Sequence, residues 1–142
     1  MPDSRDPVVL LSEDQAWTFL AGQKLGRLAT CLGGEPAIHP VNFALQGRSI
    51  VFRTAPGHKL LALTANDLVA FEVDSWDDKG ATSVICTGRA EALSKQTDVD
   101  KASQLPLRPW VATVKTHYVR VAVTGISGRQ FRFGPDPVLN RF

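Results

Sequence analysis

The chain reads as short apolar–polar alternations cut by tight-turn signals, and most of the periods are those of strands. Residues 25–32 form one strand candidate, ended by Gly33-Gly34, a hairpin signal. Residues 37–45 follow, ended by Gln46-Gly47. In residues 49–54, Ile50 and Phe52 share one face and Val51 and Arg53 the other. These three stretches predict an antiparallel meander. Residues 68–73 alternate little, which predicts a strand buried on both faces, and residues 74–80 read as a polar loop. A long strand over 82–93 is interrupted by Gly88, predicting a bulge or bend. Residues 118–126 form the last strong strand, with Ser127-Gly128 as a turn and 130–133 as a short return.

Helical signals are fewer. Ser12 and Gln15 have capping-box spacing, opening a helix over 13–21 with Ala16, Trp17, Phe19 and Leu20 on its apolar face and Gly22 at its end. Residues 58–65 and 97–104 predict two more short helices. Residues 1–10 read as a loose lead-in to a single domain spanning 1–142. Six to seven antiparallel strands with small helices make a mainly β protein. A closed or nearly closed β-barrel is favoured because closure removes pairing edges. The plainer alternative is an open antiparallel sheet with helices on one face.

The chain has 142 residues, with 44% hydrophobic and 21% charged, so a disordered chain is excluded. No apolar run approaches the roughly 20 residues of a membrane span, and the N-terminal residues lack a secretory pattern. A formal net charge of +2 without a basic run argues against nucleic acid as partner. Cys31 and Cys86 sit in apolar strand-like runs and read as small hydrophobes of a reducing, cytoplasmic protein. His39, His58 and His117 lack metal-ligand spacing.

Candidate chemistry concentrates in two segments. In the first, Arg53 and Thr54 end a strand, Pro56-Gly57 turns the chain, and His58 and Lys59 enter a helix in its first turn. Basic residues are disfavoured there by roughly 0.3–1 kcal/mol each. An anion resolves the conflict: a phosphate takes helix N–H groups, Arg53, Lys59 and the Thr54 hydroxyl as partners. The plainer alternative is a turn with Lys59 solvated. The second segment is His39-Pro40-Val41-Asn42-Phe43. Pro40 has no N–H to give a ladder, so this strand is an edge or faces something other than a strand. A planar ring with a polar rim is one such neighbour, and a simple edge is the other reading.

These segments resemble the pyridoxamine 5′-phosphate oxidase-like family, the FMN-binding split barrels, and in particular its short bacterial members. The likeness runs from Gly26 to Phe133. It rests on residues 25–29, 40–43, 51–54 and 57–59, then on 69–74 and 83–90, with Trp110 and Gly128-Arg129. It implies a split barrel forming a homodimer with two flavin sites at the interface. It implies an FMN phosphate held by Arg53, Thr54, His58 and Lys59, and a flavin ring laid along His39, Pro40, Val41, Asn42 and Phe43. Ser83, Trp110 and Arg129 match positions that close the site from the partner subunit. The implied activity is that of an oxidoreductase using a small-molecule substrate or a nicotinamide donor. Coenzyme F420 in place of FMN is the alternative, as is a flavin or haem carrier or sensor without turnover. Where close relatives have Gly-Trp-Ser-Val, this chain has Ala81-Thr82-Ser83-Val84. Residues 135–142 match none of the substrate-binding residues of true pyridoxamine phosphate oxidases, so another small molecule is expected as substrate.

Overall fold

A computed structural model describes residues 6–107 and 117–135. Eight strands and three helices follow in the order β1 (Val8–Leu11), α1 (Glu13–Ala21), β2 (Leu25–Leu32), β3 (Glu35–Asn42), β4 (Ala44–Gln46), β5 (Ser49–Thr54), α2 (His58–Ala65), β6 (Leu68–Trp76), β7 (Gly80–Ala92), α3 (Gln96–Ser103) and β8 (His117–Arg132). The strands make one antiparallel sheet ordered β3-β2-β6-β7-β8-β5-β4, with β1 added to β8. Its inner face packs Leu28, Ile50, Phe52, Phe71, Val73, Val84, Val119 and Val121 into the core, closed by Leu20 of α1 and Leu63 of α2. No helix among the described residues is long and apolar enough to cross a membrane.

The curl of the sheet has a covalent cause. β3 and β4 lie at opposite ends of the strand order, yet only Phe43 separates them in the chain. One residue spans only a few ångströms, so the two ends of the sheet must meet there. The Phe43 N–H donates to the Lys24 carbonyl at 3.0 Å, and its ring meets Phe71 edge-on at 5.1 Å. β3 lies against β5 without a ladder between them, which leaves β3 with one edge unpaired among the described residues. The barrel is therefore split along that seam.

Several local expectations hold. The Ser12–Gln15 capping box forms, with Gly22 as the C-cap of α1. Gly33 and Gly34 adopt the positive φ a tight hairpin needs. At Gly88 the β7–β8 register shifts, and an added Cβ would lie 2.3 Å from the Ala122 carbonyl oxygen. Cys86 is fully buried, and burial pushes its thiol pKa up to about 11.

Others are corrected. The supposed strand 37–45 is two strands, because the chain turns the corner at Phe43, so 25–54 is not a meander but two hairpins on opposite rims. Residues 74–76 extend β6, and its side chains alternate between core and outer face instead of being buried on both. The end of the supposed lead-in, Val8 to Leu10, belongs instead to a strand, Val8–Leu11, paired with Gly128–Phe131. Ser127-Gly128 is not a turn: β8 runs straight through it. Gly128 is small because Leu11 and Ala16 pack on it, and an added Cβ would lie 2.9 Å from Leu11 Cδ1.

Candidate functional site

The site builds from the seam between β3 and the β5–α2 connection. Arg53, near the end of β5, is half-buried, with its guanidinium carbon 5.3 Å from the ring centroid of its cross-strand partner Tyr118. Such stacking holds the planar head in a defined pose. Thr54 is buried, and its hydroxyl donates to the Ala55 carbonyl at 3.1 Å, which leaves its oxygen lone pairs to accept. The chain then reaches Gly57, the N-cap of α2, in extended conformation and with no side-chain cap bond. His58 is exposed and Lys59 half-buried in the first turn, which contains no acidic residue. A helix start that is uncapped by side chains and flanked by cations is an anion-binding arrangement.

β3 contributes one more basic group. His39 lies opposite Leu28 and so points to the inner face of the sheet, toward α2. Its Nε2 shares a hydrogen bond with Thr30 Oγ1 at 3.4 Å. Burial lowers its pKa below the usual histidine value, and the charges on Lys59 and then His58 lower it further. His39, expected beside a ring, thus belongs to the same electrostatic cluster as the phosphate-binding candidates. The sequence did not signal this, because the contact depends on how the two sheet ends meet. Tyr118 beneath Arg53 was missed for the same reason.

Along β3, Pro40 is exposed, Val41 and Phe43 are buried and Asn42 is half-buried, its amide reaching the Lys24 carbonyl at 3.4 Å. Pro40 sits on a strand that pairs only with β2 among the described residues, in keeping with its missing N–H.

Ser83 and Arg129 are direct cross-strand partners on the outer face of β7 and β8, away from the basic corner of the same chain. Asp74 is the next residue in their row. The adjoining row holds Arg27, whose guanidinium donates to Glu72 at 2.9 Å and to Asp74 at 3.1 Å, while the Ser83 hydroxyl approaches Glu72 at 3.4 Å. Burial pushes the Glu72 carboxyl above its ordinary pKa, the Asp74 hydrogen bond adds to this, and Arg27 opposes it. Trp110 lies outside the described residues.

Residues 12–130 match the family model described as pyridoxamine 5′-phosphate oxidase, and the chain belongs to that family. A Corynebacterium glutamicum structure assigned to the same group is 36% identical, with a TM-score of 0.85 over 94% of this chain and 100% of that one. An FAD-binding protein of Mycobacterium smegmatis is 38% identical, with a TM-score of 0.78 over 88% of this chain and 99% of its own. An uncharacterized protein of Mycobacterium tuberculosis is 46% identical over 66% of this chain and 84% of its own length.

Proposed function

We propose that this protein is a flavin-dependent oxidoreductase whose cofactor phosphate sits at the basic corner of Arg53, Thr54, His58 and Lys59. The observation that carries the reading is the start of α2: it has no side-chain cap and no acidic residue, carries two basic side chains, and has His39 beside them. A phosphate offers each of these groups a partner. The unpaired edge of β3 runs from the same corner, so backbone groups of residues 39–42 that do not bond β2 are available to the rim of a flavin ring. A bound flavin supplies the redox chemistry. The chain supplies the anchor, the ring orientation and the polarity around it.

FMN is the cofactor this corner suits directly, since it ends in one phosphate. FAD is the second reading, favoured by the 38% identical FAD-binding protein of Mycobacterium smegmatis. The purified protein should be yellow, with absorbance near ~450 nm that denaturation releases. Chromatography of the released chromophore separates FMN from FAD. Colourless protein that quenches F420 fluorescence, or a Soret band, would overturn the flavin reading. Bleaching by NADH or NADPH would support turnover over a carrier role.

The proposal extends to a homodimer in which the partner copy brings Ser83, Arg129 and Trp110 over the flavin. Ile38, Ile85 and Leu10 are large apolar residues left exposed on the outer sheet face. A sedimenting monomer that retains flavin at full affinity would count against the shared site.

His39 makes binding pH-linked. Its pKa lies below 6.5 in the free protein, and a bound anion raises it. Binding in the window between the two values therefore takes up a proton, and His39 strengthens affinity as pH falls through the bound-state value. Protonation of the phosphate itself, with a pKa near ~6, opposes this, so His39→Gln isolates the histidine contribution. Calorimetry in two buffers of different ionisation enthalpy should show proton uptake that shrinks in His39→Gln. Without ligand the sign for folding is the reverse. A histidine with a lowered folded pKa favours the native state above about 6.5 and costs stability as pH drops through that region.

A further inference from the structure

Strand alternation sends Leu28, Phe71, Val73 and Val84 to the core face of the sheet and their chain neighbours to the other. Among the described residues, eight large apolar side chains are exposed. Six of them, Val8, Leu10, Ile38, Leu68, Trp76 and Ile85, fall on that other, outer face. Such clustering marks a surface for a partner, where scattered exposure would not. From β3 across β2, β6, β7 and β8 to β1 the face is about 24 Å wide, and it runs about 27 Å along β6. The product, about 650 Å², is close to the roughly 800 Å² that each partner gives to a stable interface.

Charge and symmetry select the partner. Over the middle of the face Arg27 and Arg129 balance Glu72 and Asp74, so it has no net charge to repel its own copy. In a two-fold, face-to-face pair, a residue and the spot it covers on the other copy lie equally far on either side of the axis. For Ser83 of one copy to cover a ring beside β3 of the other, the axis must lie midway between β7 and β3. That line falls between β6 and β2. Arg27 and Glu72 are cross-strand partners there, and Asp74 is in the next row. Each Arg27 then lies over the carboxylates of the other copy, and Ile85 lands beside Pro40 and Ile38. Arg129, one strand outside Ser83, falls past β3 and over the seam.

On the reading that a partner copy completes the flavin site, we infer that the outer sheet face docks a second copy of this chain, with the two-fold axis over Arg27, Glu72 and Asp74, and that docking takes up protons at this cluster. Each cluster holds one guanidinium and two carboxylates. The pair therefore takes two guanidinium groups and four carboxylates out of water, two negative charges in excess. Unpaired buried charge is costly, and a carboxylate relieves it by protonating. Among the described residues, the other groups facing the cluster are neutral: Pro40 on β3, Ala29 on β2, and Ser83 and Ile85 on β7. Arg129 stands one strand beyond Ser83 and lies over the partner's flavin on the same reading. Burial already pushes the Glu72 carboxyl upward in the single chain, so Glu72 takes the proton. The dimer then tightens as pH falls through the range between the free and docked values of that carboxyl.

Sedimentation equilibrium of the full-length protein at about pH 6 and about pH 8, in the same salt, reads the dimer dissociation constant. It should be smaller by about tenfold or more at the lower pH. Glu72→Gln removes the surplus charge and keeps an acceptor for Arg27. It should dimerise at the higher pH as tightly as wild type does at the lower, and lose most of the pH dependence. His39 is unchanged in that variant, so a contribution from it would persist. Ile85→Asp and Ile38→Asp, both at exposed positions, should each give monomers with an unchanged circular dichroism spectrum, while Leu61→Asp, at an exposed position of α2, stays dimeric. Dimers of wild-type strength in both Ile85→Asp and Ile38→Asp would overturn the face. Undiminished pH dependence in Glu72→Gln would overturn the placement of the axis. Flavin content is read on the same samples: a colourless dimer that Ile85→Asp splits would sink the flavin reading and leave this face standing.

Discussion

Replacing Arg53 and Lys59 together by alanine should weaken FMN binding by about 3–6 kcal/mol, because a hydrogen bond to a charged group is worth about 1.5–3 kcal/mol. In affinity this is a loss of roughly a hundred- to ten-thousandfold. The fold should lose far less. Arg53 is half-buried and stacks on Tyr118, and such a cation–π contact is worth about 0.5–2 kcal/mol, rising as it is desolvated. Titration of flavin fluorescence and a thermal melt on the same protein separate the two effects. Wild-type affinity in the double variant would mean the phosphate is held elsewhere, and the reading of α2 would fall with it.

The second large effect is expected in the core. Phe71→Ala should destabilise the fold by about 3–5 kcal/mol, a large share of the 5–15 kcal/mol available to a domain. Phe71 is 1% exposed, meets Phe43 edge-on at the corner where the sheet ends join, and covers Gly26. A Cβ on Gly26 would lie 2.3 Å from Phe71 Cε1. Gly26→Ala should therefore be costly alone and cheaper when Phe71 is already alanine. Denaturant unfolding of the two single variants and the double variant closes that cycle. Strict additivity would show that the ring and the glycine do not share the space.

What was legible in the sequence is local. The Ser12–Gln15 cap, the Gly33-Gly34 hairpin, the Gly88 irregularity and the edge character imposed by Pro40 each follow from a few neighbouring residues. The mainly β, barrel-like architecture followed from their sum. What stayed hidden depends on register between distant strands. Gly128 looks like a turn residue until Leu11 and Ala16 are placed over it. Val8, Val9 and Leu10 look like lead-in until β8 offers them a ladder.

The candidate site divides the same way. Arg53, Thr54, His58 and Lys59 are close in the chain, and their misfit with a helix start is visible without coordinates. The electrostatic link from His39 to Lys59 crosses the split of the barrel, so no window of sequence contains it.

The junction at Phe43 also limits how the molecule can breathe. A single residue rivets the two rims together, so the cleft beside β3 cannot gape at that point. Opening must swing outward from it, as scissor blades part from their pin, with the greatest travel at the Glu35 end of β3.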